Sequence, residues 1–473
     1  MVNTFSSSLY SSRQPIFPKR VYGQFRNWKW CIMVFTLSIY YFTPWIRFDR
    51  GPNLPNQAVL VDLAGRRFYM FWIEIWPHEF FFVAGLLIMA GIGLFFFTSL
   101  FGRAWCGYSC PQTVWVDLFI LVERWVEGDR NARIKLWRKA LDWNKAILRL
   151  TKWLIWLIIS VLTGGAWVFY YTDAPKLASD LVSLSVPPIA LFSIATLTFT
   201  TFIFGGFMRE QVCIYMCPWP RIQSSMMDEN SLTIGYRYWR GEPRGKLKKN
   251  FRSLGDCIDC SACVNVCPMG IDIRDGNQME CISCALCIDA CNNIMDRIGK
   301  PYNLIGYFGL NDEKRERSGK TPYSVWHHIL TFRIVLYMLI WGFIGFALLF
   351  ALFIRPDLEM SVYPIRNPLL VTMSDGSVRN IYELKLFNKL PTTQTFQLNV
   401  SNPISTIEID TSGKFSNIIS VPADSIQTKK VFLTAPKNSL AAKIDKTEIT
   451  FWVNNIKSKK RIYAKSYFNG INQ

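Results

Sequence analysis

The sequence predicts a multi-domain membrane protein: five transmembrane α-helices with the N-terminus inside and the C-terminus outside, a cytoplasmic cysteine-rich α+β module, and a C-terminal all-β, immunoglobulin-like sandwich. Three observations predict it. Five stretches are apolar over about 18 to 22 residues. Eight cysteines crowd between Cys257 and Cys291. The final stretch, 365–473, reads as short β-rich runs separated by turn signals.

The five apolar stretches run 28–46, 80–101, 153–171, 186–207 and 334–354. A helix rises about 1.5 Å per residue, so each covers a hydrocarbon core about 30 Å thick. None contains Asp, Glu or Arg, and Lys29 sits at the edge of the first. Orientation follows from the basic residues between them. Segment 102–152 carries ten Lys or Arg, whereas 173–185 carries only Lys176. That asymmetry puts 102–152, the N-terminus and 208–333 in the cytoplasm, and 355–473 outside. The net charge of +19 tracks this topology, which excludes nucleic acid as a partner. The first stretch lacks a small-residue cleavage site and reads as a retained anchor.

In chain order, residues 1–27 read as a Ser-rich, basic cytoplasmic tail and 28–236 as a membrane domain of four helices. Within it, 47–79 is an exterior loop with a short apolar alternation at 58–63, and 112–127 is an amphipathic helix, suited to the inner membrane interface or to packing on another domain. Residues 237–252 form a basic linker, 253–300 the cysteine-rich module, 301–333 a connector and 334–354 the fifth helix. The β runs of 365–473 lie near 369–373, 378–387, 395–400, 406–409, 430–433, 448–453 and 461–467. About seven short strands in about 100 residues suggest a sandwich of immunoglobulin type, of undetermined strand order. The Cys…Trp…Cys pattern of true immunoglobulin domains is absent.

The cysteine module reads Cys257-x2-Cys260-x2-Cys263-x3-Cys267-Pro268, then Cys281-x2-Cys284-x2-Cys287-x3-Cys291. Spacings of two let one tight loop aim three thiolates at three corners of an iron–sulfur cubane, and the fourth ligand comes from elsewhere. In bacterial two-cluster ferredoxins the fourth cysteine of each run serves the other cluster. One 4Fe-4S cluster is therefore expected on Cys257, Cys260, Cys263 and Cys291, the other on Cys281, Cys284, Cys287 and Cys267. Zinc fits poorly, because the run repeats without a nearby histidine. Ser261, Ala262, Ser283 and Ala285 are small enough for backbone amides to approach the sulfurs. Asn292 departs from the pattern, standing where the second proline is expected.

A second constellation is an internal repeat. Cys-x-Tyr-x-Cys-Pro occurs at 106–111 and again at 213–218, each after an outside-to-inside span, so a duplicated two-helix hairpin is the simple reading. If the hairpins pack side by side, Cys106, Cys110, Cys213 and Cys217 converge. Four soft ligands suit Cu(I), a redox-active dithiol or another metal site, and spacing does not choose among them. Arg103 and Arg209, just before the motifs, either lower a thiol pKa or anchor helix ends at headgroups. His78, His327 and His328 are weak candidates for any ligand role. No Walker loop or dinucleotide fingerprint is present, so neither nicotinamide nor flavin is expected.

The paired Cys-x3-Cys-Pro motifs, the double four-iron run, a fifth span and a terminal β-sandwich together resemble the FixG/RdxA/CcoG family over about residues 20–473. The resemblance implies a multi-pass bacterial inner-membrane protein with a periplasmic C-terminal domain. It implies an accessory role in assembling the cbb-type cytochrome c oxidase, through reduction of Cu(II) to Cu(I), with the oxidase and its copper chaperones as partners. A cytoplasmic electron donor would load the clusters, and a homodimer stays open. The alternatives are a quinol-linked membrane ferredoxin of NapH type, with a similar motif layout, and a non-catalytic, redox-sensing assembly scaffold.

Overall fold

The computed structural model describes residues 15–51, 54–246, 254–401, 407–409, 417–456 and 458–471. The chain divides into two units, Met1–Phe48 with Gln57–Leu348, and Asp49–Asn56 with Leu349–Gln473.

The first unit opens with α1 (Gln24–Phe42) and an antiparallel meander of β1 (Val59–Asp62), β2 (Arg67–Met70) and β3 (Ile73–Ile75), where the alternation at 58–63 falls. There follow α2 (Phe81–Phe101), α3 (Ala104–Tyr108), α4 (Pro111–Val126), α5 (Arg130–Arg138), α6 (Trp143–Thr163), α7 (Ala174–Val182) and α8 (Pro188–Thr201). A π-helical segment, Phe202–Met208, prolongs α8, and another, Val212–Met216, precedes α9 (Trp219–Met226).

Four helices among the described residues are long and apolar enough to cross a membrane: Pro77–Phe101, Trp143–Tyr170, Pro188–Met208 and Phe332–Phe353. They coincide with the second to fifth apolar stretches. The third begins at Trp143 rather than at residue 153, because the cations of its first turns find protein partners. Lys145 donates to Trp137 O at 3.2 Å, and Lys152 pairs with Glu127 at 2.7 Å. The helix of the first stretch, α1, is not among the four; Arg26 and Lys29 lie in its first two turns, buried against Asp117 at 3.1 and 3.0 Å.

One sequence expectation changes here, and one alternative is decided. Residues 1–14 of the expected tail lie outside the described residues, but the chain from residue 15 is laid on the cysteine-rich module. Lys19 N–H donates to Asn265 O at 2.7 Å, and Asp289 accepts from the Phe25 and Arg26 amides at 3.2 and 2.7 Å. Of the two settings open to 112–127, α4 takes packing against other elements rather than the membrane interface. Asp117, Phe119, Ile120 and Glu123 are all buried, because its acids meet cations from α1, α5, α6 and the turn after α8 rather than water.

The module itself extends well beyond 253–300. β4 (Thr233–Tyr236) and α10 (Tyr238–Gly241) precede the cysteines; α11 (Ala262–Val266) and α12 (Leu286–Arg297) carry some of them; β5 (Ile305–Phe308), α13 (Leu310–Arg317) and α14 (Val325–Ile329) follow, before α15 (Phe332–Phe353). β4 pairs antiparallel with β5, in register Thr233↔Phe308. Ile234, Ile273, Ile288, Met295 and Leu304 form the core around the cysteines. The start of the expected linker belongs to this fold, since Arg237 pairs with Glu316 at 2.7 Å and Arg240 with Asp256 at 2.6 Å. Residues 247–253 lie outside the described residues.

The second unit is a two-sheet antiparallel sandwich. One sheet orders β10 (Glu408–Ile409), β12 (Ser425–Ala435), β8 (Val378–Asn388) and β6 (Leu358–Pro364), with β7 (Val371–Thr372) on β8. The other orders β11 (Ile418–Val421), β9 (Gln394–Ser401), β13 (Lys446–Asn455) and β14 (Arg461–Asn469). Strict alternation on β8 buries Tyr382, Leu384 and Leu386, which meet Phe396, Phe451 and Phe468 from the other sheet. β6 and β11 were not foreseen. β6 is an edge strand ending in Pro364, as an edge permits, and β11 is only four residues long.

Candidate redox site

Two cavities occupy the module. One is lined by Cys257, Cys260, Cys263 and Cys291. The other is lined by Cys267, Cys281, Cys284 and Cys287, with Cys263 also in its wall. Each cavity therefore draws three cysteines from one run and the fourth from the other. The local backbone explains how. Asp259, Ser261, Ser283 and Ala285 are left-handed, with φ of 51, 52, 52 and 59°. They occupy matching places in the two runs, and L-residues visit that region rarely. Backbone N–H groups thereby reach the sulfurs: Val264 to Cys263, Met269 and Ile271 to Cys267, Ser283 to Cys281, Leu286 to Cys284, and Ile305 to Cys291.

Burial pushes the Cys263 and Cys281 thiols up to about 11, Cys267 and Cys291 up to about 12, and Cys287 well above the usual range. Sulfurs so desolvated become thiolates only where a cation replaces the proton. Four sulfurs around each cavity, with amide donors behind them, fit a 4Fe-4S cubane. Asn292 has a structural reason. α12 runs on through it to Arg297, and its Oδ1 accepts from Asn303 N–H at 2.9 Å. A proline there would break a helix interior. After Cys267, by contrast, α11 has already ended.

The two Cys-x-Tyr-x-Cys-Pro motifs fold alike. Each follows a left-handed residue at the end of a span, Gly102 (φ 58°) after α2 and Arg209 (φ 43°) after Met208. The first cysteine then lies in a short helical piece, Cys106 in α3 and Cys213 in Val212–Met216. The second is extended, with ψ of 129° at Cys110 and 123° at Cys217. Proline disfavours the α conformation in the residue before it, so the helix breaks there. Each pair thus straddles a break instead of sharing one continuous helical face, as a spacing of four would suggest.

The four thiols nevertheless sit within electrostatic reach of one another. Burial first, and then Cys110, Cys106 and Cys217, push Cys213 up to about 12. Burial and Cys110 push Cys106 up to about 11, against the opposing pull of Arg103. The two motif segments are also stitched crosswise. Cys106 Sγ donates to Gln223 Oε1 on α9 at 3.2 Å, and Gln112 Nε2 on α4 donates to Phe204 O at 2.8 Å and Arg209 O at 3.2 Å.

This site abuts the second cluster cavity. Cys106 and Cys213 pack in the same apolar cluster as Cys267 and Cys284. Buried Arg103 donates to Met279 O, to Cys281 O at 3.1 Å and to Pro220 O, tying both motifs to the cluster loop. Motif residue Tyr108 hydrogen-bonds Tyr307, whose hydroxyl donates to Ser283 O at 2.9 Å. Neither arginine is a headgroup anchor: Arg209 pairs with buried Glu123 at 2.5 Å. His328 is structural, held between Asn230 O at 2.7 Å and Asp312 at 3.0 Å, and His327 stacks on Tyr323 at 3.9 Å. Gln223 and Tyr307 escaped sequence reasoning because nothing in their neighbourhood marks them.

Relatives match this chain over nearly its whole length. Protein RdxB of Cereibacter sphaeroides is 57% identical over 471 residues, covering 99% of this chain and 98% of that protein. The chain belongs to the FixG/RdxA family. Protein RdxA of the same organism is 56% identical over 92% of both chains, and the nitrogen fixation protein FixG of Rhizobium meliloti is 52% identical over 92% of this chain and 88% of that one. Residues 208–309 match a family described as a 4Fe-4S dicluster domain, 81–128 a 4Fe-4S binding domain, and 348–470 the IG-like fold at the C-terminus of FixG. This member of the FixG/RdxA family is an iron–sulfur redox protein of the membrane with an Ig-like C-terminal domain.

Proposed function

We propose that the chain reduces Cu(II) to Cu(I) at Cys106, Cys110, Cys213 and Cys217, in support of assembling a cbb-type cytochrome c oxidase. The observation that carries this reading is the packing of Cys106 and Cys213 in one apolar cluster with Cys267 and Cys284. Cys257, Cys260, Cys263 and Cys291 would hold one 4Fe-4S cluster, and Cys267, Cys281, Cys284 and Cys287 the other; bound there, the clusters supply one-electron storage and transfer. Cu(II) is the substrate of the four-thiol site. It takes one electron per ion, and the resulting Cu(I) is the state that four soft sulfurs prefer. Arg103 offsets negative charge as these thiols ionise. The partners would be a cytoplasmic electron donor, the copper chaperones and the oxidase.

The reading includes a topology of five spans in the bacterial inner membrane, with α1 as the first, the clusters cytoplasmic and the Ig-like domain periplasmic. Two ends of α1 support it. Its N-terminal end is tied to Asp289 of the module, whereas Tyr40 near its C-terminal end donates to Thr163 O, the last residue of α6, at 2.6 Å. Its C-terminal end therefore meets the far end of a span, while its N-terminal end meets the module. Its two cations are matched by Asp117 at the end nearer the module. Labelling of single cysteines from either side of oriented vesicles tests this: a label placed at Ser420, exposed on β11, should react only from outside.

One observation favours a second reading, in which a quinol supplies the electrons. An apolar cavity of about 350 Å³ lies between α1, α4, α6 and α8, and Ser109 and Pro111, the neighbours of Cys110, line it together with Tyr40, Trp115 and Trp167. Cluster reduction by a short-chain quinol, abolished by Trp115→Ala, would support this reading; cluster reduction only by soluble cytoplasmic reductants would remove it.

A further inference from the structure

A second cavity, of about 240 Å³, lies where α4, α5 and the first turns of α6 meet the π-helical end of α8. Glu123 forms its ionic floor, pairing with Arg133, with Arg209 at 2.5 Å and with Lys152 at 3.4 Å. Arg133 is 1% exposed. Its Nη2 bonds Glu123, yet its Nε and Nη1 have no hydrogen-bond partner, and neither does Nε of Arg149, which also lines the cavity. Four cations and three carboxylates line the space, so one positive charge is in excess. Guanidinium donors left unsatisfied at such depth are costly, and an oxyanion would satisfy them.

The geometry points to a binding site for a phosphate-bearing anion here, filled by the headgroup of an anionic phospholipid. Depth selects the lipid over free phosphate. Lys152 and Trp153 stand where the apolar stretch 153–171 begins, and Gly206 and Phe207 lie at the end of Pro188–Met208, so the cavity opens at the level where two apolar segments terminate. Trp137 and Trp153 add apolar walls suited to a glycerol backbone and upper acyl chain. An occupant would brace Arg133 and, through Glu123, Arg209, whose left-handed turn leads into Cys213.

The test uses the full chain, delipidated and reconstituted into nanodiscs of phosphatidylcholine alone, of phosphatidylcholine with phosphatidylglycerol, or of phosphatidylcholine with inorganic phosphate in the buffer. The expected result is a higher Tm only with phosphatidylglycerol, and one anionic lipid per chain surviving in native mass spectrometry. Arg149→Gln should reduce that retention about tenfold, the loss of one charge-assisted contact. Arg133→Gln also breaks the Glu123 pair and could unfold the protein, so Arg149→Gln is the deciding variant. An equal Tm rise with inorganic phosphate would overturn the lipid assignment. Equal Tm in all three conditions, or wild-type retention in Arg149→Gln, would overturn the site.

Discussion

Gly107 lies flat against the backbone of Cys284: a Cβ at position 107 would stand 2.9 Å from Cys284 Cα and 2.6 Å from the Ile282 carbonyl oxygen. The neighbours it would meet are main chain, which cannot swing aside. The residue between the two cysteines of the first membrane motif therefore sets how closely that motif approaches the second cluster loop. Gly107→Val should force them apart at a cost of about 1–3 kcal/mol. Iron should still be counted at wild-type level, while the rate of Cu(II) reduction falls steeply. A Cu(I) chelator assay on protein of matched iron content checks this.

The crossing of the two cysteine runs gives a paired prediction. Cys291→Ser should damage the site of Cys257, Cys260 and Cys263, although Cys291 belongs to the other run. Cys267→Ser should damage the site of Cys281, Cys284 and Cys287. Each variant should fall from about eight iron atoms per chain to about four. Electron paramagnetic resonance of the two reduced proteins should show a different surviving signal in each.

Arg103 is held by its fork. It reaches carbonyls of Met279, Cys281 and Pro220, an arrangement that a single ammonium cannot reproduce. Arg103→Lys should retain both clusters but lose about 1.5–3 kcal/mol of stability. Copper reduction should slow in the same variant, because the loop and the motifs are no longer pinned together. Thermal melts and the chelator assay, run on one preparation, separate the two effects.

Buried Asp117 and Glu123 predict an acid limit. Burial works to raise both carboxyls, but Lys29 and Arg26 outweigh it at Asp117, and Arg209 and Arg133 at Glu123, so both stay below the usual range. Carboxyls depressed in the folded state add stability that is present above their ordinary values of about 4, and it is lost as pH falls through the lower folded values. The Tm of the wild type should therefore drop steeply below about pH 4. Asp117→Asn leaves Arg26 and Lys29 buried without their acid, which costs about 3–5 kcal/mol at neutral pH. Its Tm should also depend less on acid.

What the sequence revealed and what it hid divide along a physical line. Ligand spacing is local, so the eight module cysteines and the repeated Cys-x-Tyr-x-Cys-Pro motifs could be read directly, as could four of the spans from their hydropathy. The alternation in 378–387 likewise announced the strand that builds the sandwich core. Partners distant in sequence could not be read. That Asp117 and Glu123 face cations rather than water could not be read, because Arg26, Lys29, Arg133 and Arg209 approach only in the folded chain. The basic start of the expected linker belongs to the module through Glu316 and Asp256, which its own sequence does not announce. The prolines after Cys110 and Cys217 mark a break, but only the folded chain shows that the second cysteine of each pair is already extended.

The central claim is that the clusters and the four membrane cysteines form one electron path. The most direct measurement compares anaerobically reduced wild type with a variant carrying serine at Cys106, Cys110, Cys213 and Cys217, each mixed with Cu(II), with iron counted per chain beforehand. Both proteins should carry about eight iron atoms, with rapid Cu(I) formation and return of cluster absorbance in the wild type alone. Wild-type rates in the variant would remove the thiol site from the path, and about four fewer iron atoms in the variant would reassign its cysteines from copper to iron.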